Sequence, residues 1–248
     1  MAYYLRKVFH DEMATTKKRR DEMRSLAIFP CTYTYGASII GELANRLRLK
    51  VYTDEMLFAD VTEQFGIPTE EVRKIIVRRM PSLTRHLLQK KKAVDLLRYA
   101  LAAQQKSSAR GRLFYGLHTS LLEDNRDTIL KVLIFDEPER RIQRARVQEG
   151  LTEKAARDHI RKHDEKASGW NKFLYQREAY DRSLYDLVIP IGDRNPLDIS
   201  ENIVDRFKRF GIVQEQSPAE AAFPVLDNYP YQDVPFVPRQ AFQPVDTG

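Results

Sequence analysis

A single cysteine, Cys31, stands among the 248 residues, so neither an internal disulfide nor a thiolate cluster for zinc can form. No run of about 18 apolar residues occurs, which leaves no segment suited to crossing a membrane as a helix. The first residues, MAYYLRKVFHDEM, carry charges where a secretory signal needs an apolar core, and a cytoplasmic location is expected. The five histidines show no ligand spacing. His159 and His163 stand four apart, but the HExxH pattern is missing, which argues against zinc. Aromatic residues are sparse among the basic clusters, which argues against a nucleic-acid partner. The full phosphate-loop motif, G-x-x-x-x-G-K-[ST], is also absent.

What is present is an ordinary globular composition, 42% apolar and 31% charged, with a net charge of +6. The charge is uneven. From Arg78 to Val94 every charge is positive (Arg78, Arg79, Arg85, Lys90, Lys91, Lys92), and Lys17-Lys18-Arg19-Arg20 forms a second cluster. Such a body attracts phosphates of any kind. As a reading of the basic run, a solvated helix face stands ahead of a nucleic-acid site. Cys31 reads as a small loop or core residue, with a reactive thiol as the other reading.

The chain is organised around LAIFPCTYTYGASIIGELANRL, Leu26 to Leu47. A short apolar run is followed by a turn-like segment, Pro30 to Tyr35. Ile39, Ile40, Leu43, Ala44 and Leu47 then recur at helical spacing, which predicts a helix over 38–48. Strand, tight loop and helix together offer unpaired amides and a positive dipole end to an anion. Backbone groups of Tyr35, Gly36, Ala37 and Ser38 are the candidate cradle. An ordinary βα turn is the other reading. Aligned on Gly36, the lysine position of the motif is Ala37 and the hydroxyl position is Ser38.

Further along, Val51-Tyr52 is a brief strand, and Thr53 is the expected N-cap of a helix beginning DEMLF. Thr69 caps another helix, and a long one is expected from about Leu83 to Gln105. Leu113 to Tyr115 and Ile129 to Phe135 read as buried strands. With the helix-like piece Leu117 to Leu122 between them, they suggest parallel βαβ units. Pro138 opens a helix that ends at Gly150, Thr152 caps the next to about Trp170, Tyr185 to Ile191 is a last strand, and Pro196 to Phe210 a last helix. The expected fold is α/β, a parallel sheet flanked by helices. Residues 1–25 form a charged arm and 26–210 the folded domain. Residues 211–248 hold half of all prolines, interleaved with Phe223, Tyr229, Tyr231, Phe236 and Phe242, and form an acidic tail. The tail is expected either to dock in extended form or to stay disordered, and it is a candidate contact for a protein partner.

Two constellations bear on chemistry. Arg141 and Arg144 stand three apart on one helix, and Arg157 and Arg161 four apart on the next, so each pair shares a face. Arginine's planar fork matches phosphate oxygens, so the pairs suit a lid over a triphosphate. The other reading is two solvated helices with ion pairs to Glu139, Glu149, Asp158 and Asp164. Asp54 and Asp136 follow predicted strands, where residues of a parallel sheet face the ligand crevice. Asp136 is either a magnesium ligand through water or a helix cap.

The segments GELANRLRLKVYTDEML and VLIFDEPERRIQRARVQEGLTEKAARDHIRKHDEKA, with SLYDLVIPI near the end, resemble the cytidylate kinase-like family, relatives of the P-loop nucleoside monophosphate kinases. The resemblance runs from about Leu26 to Phe210. It implies a monophosphate-binding insertion, about 54–106, and a mobile lid, about 137–180. It places Asp54 near the monophosphate and Arg141, Arg144, Arg157 and Arg161 on the lid side. It implies ATP and Mg2+ as cofactors and CMP or a similar nucleotide as acceptor. The departures fall on catalytic parts. The family carries Lys or Arg where this chain has Ala37, an arginine where it has Leu117, and, in cytidylate kinases, an acid where it has His118. Two expectations follow: an ATP-dependent phosphotransferase, or a catalytically weak or dead relative that regulates through a nucleotide or protein partner.

Overall fold

The computed structural model describes residues 24–77, 84–107, 111–122 and 128–210. Residues 1–23 of the N-terminal arm, the basic residues Arg78 and Arg79, and the acidic tail lie outside the described residues, and the arm's last residue, Ser25, already belongs to the first strand. Among the described residues five strands form one sheet: β1 (Ser25–Phe29), β2 (Lys50–Thr53), β3 (Arg112–Tyr115), β4 (Ile129–Phe135) and β5 (Leu187–Pro190). Their order is β2-β3-β1-β4-β5, and every pairing is parallel. The expected parallel α/β sheet is thus present. β3 and β4 are not neighbours, however. β1 lies between them, with Leu26 opposite both Leu113 and Leu130. β1 is buried along its whole length, which suits an apolar run in the middle of a sheet.

Helices cover both faces. α1 (Gly36–Leu47) and α7 (Pro196–Arg209) lie on one, where Ile39, Leu43, Ile199 and Ile203 meet the sheet fully buried. α2 (Asp54–Phe65), α3 (Thr69–Val77) and α4 (Thr84–Ser107) lie on the other, with Leu57, Leu97, Phe114 and Trp170 at their centre. Each fully buried side chain of this size stabilises the fold by about 2 kcal/mol. α5 (Pro138–Glu149) and α6 (Glu153–Tyr175) pack on each other through a small cluster of Ile142, Ala145, Ala156 and Ile160. A 3-10 turn, Leu117–Leu121, follows β3.

Several boundaries differ from the sequence reading for physical reasons. α1 begins at Gly36, two residues early, because Tyr35 takes the left-handed cap conformation. α6 runs past Trp170 to Tyr175, since Phe173 and Leu174 carry its apolar stripe onto the core. Thr53 sits at the N-cap of α2 but makes no capping bond, whereas Thr152 caps α6 as expected, accepting from the Ala155 N–H at 3.3 Å. The basic run is not uniformly solvated: Lys91 and Lys92 are exposed, but Lys90 is only 5% exposed, its ammonium 4.4 Å from the ring centre of Phe173. Burial there pushes the lysine pKa down. One buried ammonium in β4 is differently served: Lys131 Nζ donates to the Leu122 carbonyl at 2.8 Å.

Candidate functional site

The strands β1, β3 and β4 end together, and the segment Pro30 to Tyr35 leaves that edge to enter α1. Tyr35 stands at the N-cap of α1, and its side chain makes no capping bond. The first helical bond runs from the Ile39 N–H to the Tyr35 carbonyl, 3.0 Å, so Gly36, Ala37 and Ser38 belong to the turn whose amides have no acceptor within the helix. The Thr34 hydroxyl closes the loop on the Cys31 carbonyl at 2.6 Å. Gly36 faces the Tyr115 side chain: a Cβ there would lie 2.5 Å from the hydroxyl, so only glycine leaves the spot open. Cys31 is buried, and burial pushes its thiol up to about 11. Alkylation of Cys31 by iodoacetamide at pH 8 is therefore expected to run at least about a hundredfold slower than that of a free thiol. A rate near that of free cysteine in the folded protein contradicts this burial.

The four arginines separate into two groups. Arg141 is 3% exposed. Its guanidinium grips both oxygens of Asp164 on α6, at 2.9 and 2.8 Å, and also donates to the Thr32 carbonyl at 2.9 Å and the Thr32 hydroxyl at 2.6 Å. Arg144 donates to the Tyr33 carbonyl at 2.7 Å, pairs with Asp136, and lies 5.0 Å over the Tyr35 ring. Both therefore reach the loop, with their charges already met by carboxylates. Arg157 and Arg161 are exposed and pair with Glu153 and Glu139, and with Glu165 and Asp158. They line a groove of about 520 Å³ with Pro138, Ile142 and Lys172. The structure does not bring the two pairs together over the loop. For Arg157 and Arg161 the geometry is that of solvated helix ion pairs.

Asp136 follows β4 and is buried. Its Oδ1 accepts from the Glu137 N–H at 2.9 Å and from the Gly192 N–H at 3.4 Å, while Oδ2 meets Arg144. The N-cap of α5 is Glu137. A magnesium ion would have to displace Arg144 from this carboxylate, and among the described residues no group of three acids, histidines or cysteines converges elsewhere for a metal. The donor set does not fit a magnesium site.

Asp54 points back to the 3-10 turn after β3. It accepts from the N–H groups of Leu117 and His118, both at 2.9 Å, and pairs with His118 Nδ1 at 2.6 Å. Gly116 above it holds φ 149°, and a Cβ there would meet the carboxylate at 2.5 Å. Burial works to raise the Asp54 pKa, but the His118 bond and the two backbone amides outweigh it, and the carboxyl titrates below its ordinary range. His118 is fully buried, edge-on to Tyr52 and Phe114, and its Nε2 has no hydrogen-bond partner. Reading the residues singly missed this pair. A signal existed: Asp54 and His118 each follow the end of one of two adjacent strands.

A search of curated proteins gives no match. Among solved structures, one similar chain is an uncharacterized protein from Eubacterium ventriosum, 17% identical, with a TM-score of 0.57, over 75% of this chain and 98% of that one. A shikimate kinase from Bacteroides thetaiotaomicron is 13% identical with a TM-score of 0.42, over 75% of this chain and 98% of that one. The likeness to the first supports the fold and nothing finer. Residues 27–193 match the cytidylate kinase-like family, and this span holds the loop, all four arginines, Asp54 and Asp136. The chain belongs to the cytidylate kinase-like family.

Proposed function

We propose that this chain binds a phosphate-bearing ligand, a nucleotide in the first instance, at the loop before α1, and that it transfers phosphoryl groups weakly or not at all. One observation carries the reading. The two arginines that bond the loop among the described residues, Arg141 and Arg144, donate to the loop's own carbonyls and to Asp164 and Asp136, while position 37 supplies no charge. Phosphoryl transfer depends on positioned charge around the transferring group. Among the described residues, the backbone supports binding: the amides of Gly36, Ala37 and Ser38 at the positive end of α1, beside the Tyr115 hydroxyl. In this reading the protein serves as a regulatory or interaction module. The insertion 54–106 and the lid 137–180 frame the ligand, and the tail 211–248 is the segment offered to a protein partner.

The second reading keeps the family's chemistry, phosphate passing from ATP to a monophosphate such as CMP. The uncapped first turn of α1 favours it. Arg144, already over Tyr35, would then exchange Asp136 for a phosphate, and Asp54 would act on the acceptor side by holding the 3-10 turn in place.

Turnover separates the two. With ATP and CMP, the unmodified protein is expected to run at least about 10²-fold below an ordinary enzyme's ~10 s⁻¹. Ala37→Lys should raise that rate if the remaining site is sound. Turnover of the unmodified chain near ~10 s⁻¹ overturns the proposal in favour of the second reading. Binding is read by thermal shift with phosphate, CMP and ATP, since a ligand at a hundredfold its dissociation constant adds about 2.7 kcal/mol. Gly36→Val, which sets a branched side chain against Tyr115 and the anion, should abolish the shift. No shift with any of the three in the unmodified protein removes the binding claim.

A further inference from the structure

The loop Pro30 to Tyr35 contains no glycine, yet Tyr33 and Tyr35 hold left-handed backbone, φ 58° and 55°. Bulky residues take that conformation only where their surroundings impose it. The surroundings at the first of them are the two lid helices. Arg141 on α5 bonds both the carbonyl and the hydroxyl of Thr32. Arg144 bonds the Tyr33 carbonyl. The Tyr33 hydroxyl pairs with His159 Nδ1 on α6 at 2.9 Å, and its ring packs on the small cluster that joins α5 to α6. Behind Arg141, Asp164 takes the other edge of the guanidinium and is itself bonded by the Tyr180 hydroxyl at 2.7 Å.

We infer that Arg141 is the positioning residue of the loop: bonded at once to Thr32 and Asp164, it fixes the residue before Tyr33, whose own carbonyl Arg144 holds, and makes loop and lid one mechanical unit. Where a glycine-rich loop folds over an anion by its own freedom, this loop is shaped from outside, by a side chain 109 residues further along the chain. The lid helices cannot swing away without releasing the loop. The cradle at Gly36 to Ser38 is therefore formed only while the lid is down. That last consequence rests on the functional reading given above; the clamp itself does not.

Hydrogen exchange on the full-length, ligand-free protein tests the clamp. Arg141→Met keeps the bulk of the side chain and removes its donors. Amides from 31 to 36 are then expected to exchange at least tenfold faster, together with the facing turns of α5 and α6, while β4 and α7 keep their protection. Arg141→Lys, which can reach Thr32 or Asp164 but not both, should recover part of the loop's protection. Arg161→Met, on the exposed side of α6, should leave the loop unchanged. Should Arg141→Met not fold, Asp164→Asn loosens the same fork from the lid side, and the same loop amides must speed up. Loop exchange that stays at the unmodified rate in the folded variant overturns the clamp, as does exchange that rises equally in β4 and α7. Phosphate protection, measured alongside, is expected to be lost with the loop's order. If phosphate fails to protect even the unmodified protein, the functional reading falls while the exchange result still decides this one.

Discussion

Asp54→Ala is expected to cost about 3–5 kcal/mol of folding stability, because three partly or wholly buried donors lose their acceptor at once. The Leu117 and His118 N–H groups would face no acceptor, and neither would the His118 ring, which is wholly enclosed. For a domain of ordinary stability this is a third or more of the total, and a drop in melting temperature of about 10 °C. Asp54→Asn keeps one acceptor oxygen and should cost about half as much. The same carboxylate sets a pH dependence. Its folded pKa lies below the ordinary value of 3.8, so the folded state binds the proton less readily than the unfolded chain. Its stabilisation is complete above the ordinary carboxylate range and is lost as pH falls through 3.8 toward the folded value. Denaturation curves at pH 7 and pH 3 should therefore converge for Asp54→Asn relative to the unmodified protein. An alanine variant within about 1 kcal/mol of the parent would show that the turn after β3 is held by something other than Asp54.

Gly111→Ala should be as damaging, for a different reason. A Cβ at Gly111 would fall inside the carbonyl group of Arg24, where the chain enters β1. The obstacle is backbone, so no side-chain rotation relieves it, and β1 and β3 would have to part where their pairing begins. We expect a loss of about 4 kcal/mol or more, or a chain that does not fold. Two other glycines supply the contrast. Gly41 in α1 and Gly169 in α6 have open space where a Cβ would go, so alanine at either should stabilise by about 0.5–1 kcal/mol through helix preference alone. Urea melts of the three single variants decide the matter. Equal, small effects at all three positions would mean that β3 does not enter the sheet against Arg24.

The sheet was legible from apolar runs such as LAIF and ILKVLIF, and the helix ends from Gly150 and Pro138, because these signals are local. The site was legible only in part. Spacing places Arg141 and Arg144 on one face of α5, but it does not say what that face meets, and here it meets carbonyls of the loop. Lys90 was hidden by its neighbours: a run of cations reads as solvent-facing, yet a helix turns one of every three or four residues inward, and that one lies against Phe173 and Trp170. Thr53 misled because a residue of good capping type stood at the right place, while the functional bond came from the next residue across to the turn after β3.

The central position of β1 sets the order in which the chain can fold. β1 is the first strand of the sheet in sequence, but both its partners, β3 and β4, come after the whole of α2, α3 and α4. An apolar strand therefore leaves the ribosome long before either of its partners in the sheet. The loop-closure cost must be met before the sheet gives any return, which is the signature of slow folding. In that interval SLAIF lacks both of its native partners on the nascent chain, which gives it reason to need a chaperone's cover.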